Sequence, residues 1–155
     1  MRHSRLTLPF ALLSAGILAL SACDGVEPEE GHADEVEGVI LVLNGRTIAS
    51  YDGHDGEWTG ELEVEPGEET AHITVQFVDH DMEVVQLGDD FYLEVDVEDE
   101  SIAEFEQDTP GEFGGHLHGQ AEGDTEITFS LMHGSVGSGH ADFVTKPLHI
   151  HVHEH

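Results

Sequence analysis

Residues 39–51 read VILVLNGRTIASY, two short runs joined by Asn44-Gly45. Asn and Gly accept the positive φ angles that a type I′ turn requires, so this segment predicts a β-hairpin. Downstream of it, short alternating runs recur, and each stops at a Gly, Pro or Asp turn such as Pro66-Gly67. No stretch of ten or more residues in this part of the chain shows a helical period with caps. The chain is therefore predicted to be all-β.

Two later stretches and the last strand carry a resemblance to a known family. Residues 95–105 read VDVEDESIAEF, residues 119–127 read GQAEGDTEI, and a valine-containing strand follows. Over residues 57–153 this pattern resembles the group 2 bacterial immunoglobulin-like (Ig-like) domains. The resemblance implies a Greek-key, Ig-like antiparallel β-sandwich, to which the hairpin is an addition.

The resemblance also implies where the strands lie. Segment 91–97 is expected to be an extra strand beside strand C. The seven strands of the sandwich are expected at 58–64 (A), 71–78 (B), 83–88 (C), 102–107 (D), 113–121 (E), 124–132 (F) and 141–153 (G).

Charge and cysteine count exclude several functions. The 155 residues, one domain's worth of chain, include 4 Lys+Arg and 34 Asp+Glu, for a formal charge of −30. Phosphate backbones repel such a polyanion, because nucleic-acid binding depends on Lys and Arg that neutralise phosphates. Nucleic acid is therefore excluded as a partner.

The single cysteine, Cys23, allows neither an intrachain disulfide nor a four-Cys zinc site.

The N-terminus has the layout of a secretory signal. Arg2 and Arg5 precede an apolar run over 6–20, which is too short to span a membrane. The run ends at Leu20-Ser21-Ala22-Cys23, which resembles the bacterial lipobox. The resemblance implies cleavage before Cys23 and acylation of that residue, so that the mature protein is anchored to a membrane by its lipid chains.

These features predict three regions. Residues 1–22 are a lipoprotein signal peptide, residues 23–37 are the lipidated Cys and an acidic disordered tether, and residues 38–155 are a His-rich β-sandwich domain. The signal carries two Arg and no acidic residue, so its removal takes the charge from −30 to −32. We expect the protein in the cell envelope, on the periplasmic or extracellular face.

Histidine is the distinctive residue of the domain. The chain has 13 His, eight of them after residue 115. Imidazole is a common ligand for Zn, Cu and Ni, and residues i and i+2 of a strand point to one face. Leu117 is predicted to face the core between His116 and His118. In the last strand Leu148, Ile150 and Val152 are predicted to face inward, which leaves the other face to His149, His151, His153 and His155.

An Ig-like sandwich gathers the B–C, D–E and F–G loops at one end. Here the B–C turn carries His80, strand E begins beside the D–E loop with His116 and His118, and residues 133–140 form the F–G loop. We expect these segments to bring several imidazoles together. The predicted metal ligands are His116, His118, His133 and His140, with His80 and Asp142 as completing ligands and the C-terminal His149, His151 and His153 as further candidates.

The predicted cargo is a divalent transition metal, with Zn or Cu first and Ni as a further choice. Zn accepts His and Asp in tetrahedral sites, and the thioether of Met132 beside His133 leaves copper open. His54 and His72 are interpreted as surface residues and are left out of the site. The function predicted is lipid-anchored extracytoplasmic metal binding, for buffering or for delivery to an envelope metal transporter or enzyme.

Other interpretations remain open at this point. The domain can be an Ig-like adhesion or scaffold module without metal, and the terminal histidines can be a frayed tail. The acidic surface can reflect salt adaptation. An enzyme is not expected, and the Ser, His and Asp residues do not indicate a catalytic triad, because there is no G-x-S-x-G motif. His-x-His on a β-sandwich resembles the copper-zinc superoxide dismutases, but that family's disulfide cannot form with one cysteine.

Overall fold

The structure is a computed structural model that describes residues 35–154. The predicted signal peptide, Cys23, most of the tether and His155 lie outside the described residues. The strands of the described range are β1 (Gly38–Leu43), β2 (Arg46–Asp52), β3 (Glu57–Gly60), β4 (Leu62–Val64), β5 (Ile73–Val78), β6 (Phe91–Val97), β7 (Ala103–Glu106), β8 (Gly114–Gly119), β9 (Gly123–His133), β10 (His140–Val144) and β11 (Leu148–Val152).

The strands form two sheets, as the all-β sandwich prediction requires. The first sheet has the order β3-β2-β1-β5-β8-β7. In the second, β9 pairs with β6, β10 and β11, and β4 runs parallel to β11 at the edge. The core lies between the sheets, where the largest fully buried side chains are Leu41, Ile73, Phe77 and Leu117 of the first sheet and Leu93, Ile127, Phe129, Leu131, Leu148 and Ile150 of the second. The fold class is confirmed.

The predicted hairpin is formed by β1 and β2. Asn44 and Gly45 have φ angles of 52° and 75°, as a type I′ turn requires. Val39 and Leu41 of β1 are fully buried, and the far edge of β1 pairs with β5 along its whole length. The hairpin therefore extends the first sheet and shares the core of the sandwich.

Strand C is the main correction to the predicted strands. Segment 83–88 forms only an isolated bridge between Val84 and Val78, and the Val84 residue is 45% exposed. The segment expected as an extra strand, 91–97, is β6 and pairs with β9 over seven positions. Its apolar residues include Tyr92 and Leu93, both buried, whereas 83–88 offers too few apolar side chains to cover β9. The connection from β5 to β6 is consequently the long segment 79–90.

Two predicted strands are each divided. Segment 58–64 becomes β3 in the first sheet and β4 in the second, with the break beyond Gly60. Gly60 has a φ of 94°, and a Cβ there would lie 2.3 Å from the Ile48 carbonyl oxygen, so a side chain does not fit. Segment 141–153 becomes β10 and β11, and the remaining predicted strands B, D, E and F form as β5, β7, β8 and β9.

The gap between β10 and β11 is bridged by Thr145. Its amide donates a hydrogen bond to the Phe129 carbonyl at 3.0 Å, and its Oγ1 accepts one from the Phe129 amide at 3.1 Å. Both residues are buried. The hydroxyl therefore takes the place of a strand carbonyl and keeps β9 paired where the edge strand is interrupted.

We predict that Thr145→Val lowers the free energy of unfolding by about 1–3 kcal/mol, because the Phe129 amide loses its acceptor in a buried place. Urea denaturation measures the change. Thr145→Ser is the matched control: it keeps the hydroxyl and loses one methyl group, which costs about 0.8 kcal/mol. A Val variant more stable than the Ser variant would contradict this role for the hydroxyl.

Candidate metal centre

Three rings lie side by side at one end of the second sheet. His133 ends β9, His140 begins β10 directly opposite it, and Phe91 of β6 lies opposite His133 on the other side. Residues directly opposite each other on paired strands project to the same face. The centroids of the His133 and His140 rings are 5.3 Å apart, and the Phe91 ring stacks on His133 at 4.6 Å. Strand register therefore brings the two imidazoles together.

Asp142 completes a group of three ligands. The register of β10 shifts between Ala141 and Phe143, which leaves Asp142 without a residue opposite it on β9. Its Oδ2 lies 3.5 Å from Nδ1 of His133, and its Oδ1 lies 3.0 Å from Nε2 of His140. One ligand atom from each of the three residues lies within 4.8 Å of the others. We call His133, His140 and Asp142 the rim cluster.

The distances in the rim cluster suit a tetrahedral ion. Ligands about 2.0–2.1 Å from such an ion lie about 3.3–3.4 Å from one another. The nitrogen–oxygen distances are 3.5 Å from His133 to Oδ2 of Asp142 and 3.0 Å from His140 to Oδ1, so each imidazole lies near this spacing from its own carboxylate oxygen. Two neutral imidazoles and one carboxylate give three protein ligands and leave a fourth position open.

Asp90 orients the His133 ring from outside the cluster. Its Oδ2 lies 2.8 Å from Nε2 of His133, and its backbone carbonyl accepts a hydrogen bond from the Gly134 amide at 2.7 Å. The hydrogen bond from His133, followed by one from its own amide and by the nearby imidazole charge, lowers the pKa of Asp90 below its usual range. A carboxylate on the far nitrogen leaves Nδ1 directed at the rim cluster, an arrangement common among metal-binding histidines.

The loops meet at this end, but with different residues from those predicted. A cleft is lined by Gly88 of the B–C connection, Pro110 of the D–E loop and Val136 of the F–G loop. The residue of the B–C connection that reaches His133 is Asp90 rather than His80. His80 lies beside Asp81 at 3.1 Å in the turn after β5, and its side chain is 69% exposed. His80 is not part of the rim cluster.

His116 and His118 lie on the outer face of the first sheet. Leu117 between them is fully buried, as predicted. The Thr70 carbonyl accepts a hydrogen bond from Nδ1 of His116 at 3.0 Å, and Nε2 lies 3.7 Å from Asp108. The two nitrogens of His118 face Glu69 at 3.5 Å and Glu106 at 3.3 Å. Neither histidine belongs to the rim cluster, so the predicted ligands fall into separate groups.

The C-terminal histidines form a further row on the outer face of the second sheet. Leu148, Ile150 and Val152 are buried, as predicted. His149 lies 3.3 Å from Glu126, and His151 lies between Asp124 and Glu61. The His153 amide donates a hydrogen bond to the Val64 carbonyl at 3.3 Å. Within residues 35–154, this row supplies no set of three ligand atoms close enough to share an ion.

His72, which the sequence pattern indicated to be a surface residue outside the site, lies beside other possible ligands. Its Nε2 lies 3.9 Å from Glu112, and with Asp108 these residues form a second group whose ligand atoms lie within 4.8 Å of one another. The His72 and His116 rings also meet edge to face, with centroids 5.4 Å apart. The pairing of β5 with β8, in which Ile73 lies opposite Gly115, brings them together, and the sequence does not reveal that register.

Histidine is the cationic partner in every ion pair within residues 35–154. The hydrogen bond to Thr70, followed by the charges of Asp108 and Glu69, raises the pKa of His116. The hydrogen bond to Asp124, followed by the charges of Asp124 and Glu61, raises the pKa of His151. At these two positions the surroundings favour the protonated imidazole.

The sequence matches no protein-family model and no curated protein. Among solved structures, the chain is similar to the S-layer protein SbsC, domains 4 and 5, with a TM-score of 0.43 and 17% identity. The similarity covers 62% of this chain and 49% of that one, so the chain spans about half the length of that structure. Within the described residues, no helix is long and apolar enough to cross a membrane.

We predict that the thermal unfolding midpoint, measured with a chelator present, falls as the pH rises from about 6 to 8. A raised histidine pKa gives stability that is complete below the unfolded value of about 6.5 and is lost as the pH rises through the folded value. His151 is one of the histidines that cause this fall, because its neighbouring carboxylates raise its pKa.

The thermal unfolding midpoint of His151→Gln is expected to fall less steeply with pH than that of the unsubstituted chain. His54→Gln is the matched control, because His54 is exposed and follows strand β2. It lies outside the rim cluster, the histidines on the outer face of the first sheet and the C-terminal row. Equal slopes in the His151 variant and the unsubstituted chain would contradict the account.

Proposed function

We propose that this protein binds a divalent transition metal, Zn²⁺ or Cu²⁺, in the cell envelope and buffers it or delivers it. The rim cluster carries the proposal, because its three ligand atoms lie within 4.8 Å of one another on two paired strands. The register of β9 and β10 and the hydrogen bond that His133 donates to Asp90 hold the ligands in place before an ion arrives.

The exposure of the ligands suits an ion that exchanges. The Asp142 side chain is 22% exposed, whereas that of His140 is 72% exposed. A site with three protein ligands keeps a fourth position that water or an incoming ligand can occupy. An acceptor can therefore approach the ion from the solvent side, which is what transfer to an envelope metal transporter or enzyme requires.

Charge and selectivity come from different residues. A strongly negative protein raises the local concentration of cations and their rate of arrival. Screening limits this field to about 8 Å at physiological salt, so it does not distinguish one cation from another. Two imidazole nitrogens favour Zn²⁺ and Cu²⁺ over Ca²⁺ and Mg²⁺, which prefer oxygen ligands. The rim cluster provides the selectivity in this proposal.

The envelope location rests on the N-terminal sequence. The segment before Cys23 resembles a lipobox, and acylation of Cys23 would anchor the mature chain to a membrane. The acidic residues between Cys23 and the domain, which begins where Val36 enters the core, would then hold the domain away from the bilayer, because their like charges repel one another. A periplasmic or extracellular site would meet metal ions before they enter the cell.

We predict that Asp90→Asn weakens Zn²⁺ and Cu²⁺ binding at the rim cluster by about 10–100-fold, a magnitude typical of groups that orient a metal ligand. The double variant His133→Gln with His140→Gln removes this binding. Titration of the purified full chain, prepared without a histidine tag, measures both effects. Binding is expected to weaken in acid, because protons compete with the metal ion for the imidazole nitrogens.

His54→Gln is the control and is expected to leave metal affinity unchanged. A metal that binds the folded state raises the unfolding midpoint. If neither Zn²⁺, Cu²⁺ nor a chelator moves the midpoint, the metal-binding proposal is wrong. An Ig-like adhesion or scaffold module of the envelope would then be the better account.

A further inference from the structure

We propose that the protein has a second divalent-cation site, on the outer face of the first sheet, formed by His72, Asp108 and Glu112 with His116 as the fourth ligand. We call these four residues the face cluster. The proposal goes beyond the rim cluster, because the two groups share no residue and lie on different sheets.

The ligands of the face cluster come from three separate segments. His72 precedes β5, Asp108 and Glu112 belong to the loop between β7 and β8, and His116 lies in β8. The atoms of the first three lie within 4.8 Å of one another, and the His116 ring meets the His72 ring edge to face. Tertiary structure rather than local sequence therefore assembles this mixed set of imidazoles and carboxylates.

Hydrogen bonds that involve no ion hold the loop in place. The side-chain amide of Gln107 donates to the carbonyls of Glu112 at 2.7 Å and Leu93 at 3.3 Å. The Asp108 amide donates to Oε1 of Glu112 at 2.5 Å, which fixes that carboxylate toward His72. A site that is already ordered loses less entropy when it binds an ion.

His116 presents its free nitrogen to the cluster. The Thr70 carbonyl can only accept a hydrogen bond, so Nδ1 of His116 carries the proton and the neutral ring keeps a lone pair on Nε2. Nε2 lies 3.7 Å from Oδ2 of Asp108, one of the three grouped ligands. A histidine whose far nitrogen donates to a backbone carbonyl is the arrangement usual for a metal ligand.

The carboxylates of the face cluster have no permanent cation. Among residues 35–154, the ion pairs of Asp108 and Glu112 are with His116 and His72 alone. The two carboxylates have ligand atoms within 4.8 Å of each other, so two like charges lie close together. A divalent cation bound between them would neutralise both carboxylates.

The ligand set indicates the kind of ion. Two carboxylates and two imidazoles offer borderline and hard donors without sulfur, which suits Zn²⁺ and disfavours Cu⁺. The rim cluster, with two imidazoles and one carboxylate, is richer in nitrogen. We therefore expect Zn²⁺ at both sites and a stronger preference for copper at the rim cluster.

The test uses Zn²⁺ and the untagged full chain in a buffer of high ionic strength. The unsubstituted chain is expected to bind two ions, and the His133→Gln, His140→Gln double variant one. Adding His72→Gln and Glu112→Gln to that variant should remove the remaining ion. Glutamine at position 112 keeps the oxygen that accepts from the Asp108 amide. Long-range ¹H–¹⁵N NMR spectra should show Zn²⁺ shifting the nitrogens of His72 and His116 and leaving those of His54 in place.

Two results would overturn the face cluster. One is a double variant in which Zn²⁺ leaves the His72 and His116 nitrogens unshifted. The other is a double variant that binds Ca²⁺ as well as it binds Zn²⁺ and whose binding does not change when His72→Gln is added. That result would indicate nonspecific attraction to the acidic surface. If a multiple variant does not fold, the same spectra are recorded on the unsubstituted chain, where they show directly whether Zn²⁺ shifts the His72 and His116 nitrogens. A double variant that binds as much Zn²⁺ as the unsubstituted chain would instead contradict the rim cluster, so the two failures are distinguishable.

Discussion

Burial of one face of β9 determines where the candidate ligands lie. Ile127, Phe129 and Leu131 alternate along this strand and are fully buried between the sheets, so the strand cannot slip by one residue without exposing them. β9 also pairs with β6, β10 and β11, the strands that contribute Phe91, His140 and the C-terminal histidines. His133 has the same parity as Leu131 and therefore lies at the end of the core, where its partners can reach it.

The near absence of Lys and Arg gives histidine an unusual place in this molecule. Acidic surfaces of ordinary proteins are balanced by permanent cations, whereas each ion pair of residues 35–154 uses an imidazole. An imidazole near pH 7 can pair with a carboxylate as a cation or bind a metal as a neutral ligand, but it cannot do both at the same nitrogen. Protons and metal ions therefore compete for the same groups, and acid would release a bound ion.

The sequence predicted the parts of the fold that depend on short-range chemistry. Asn44-Gly45 predicted the hairpin, and alternation correctly predicted the inward direction of Leu117 and Ile150. The predicted ligands His133, His140 and Asp142 also lie close together, because β9 and β10 are neighbours both in the sequence and in the sheet. Sequence spacing was therefore a good guide wherever a strand or hairpin supplied the geometry.

Long-range pairing was beyond such reasoning. The choice of 91–97 over 83–88 as the partner of β9 depends on which segment covers more of the core, and this choice brings Asp90 rather than His80 to His133. The pairing of β5 with β8 similarly brings His72 to His116, although 43 residues separate them in the sequence. Register between distant strands follows from tertiary packing, which no single segment contains.

Anomalous X-ray scattering at the zinc edge, from crystals of the tag-free protein grown with Zn²⁺, tests the central claim most directly. The account predicts a peak between His133, His140 and Asp142, about 2.0–2.2 Å from one atom of each. Zinc peaks found only elsewhere on the acidic surface, with these three side chains still paired to one another, would contradict it.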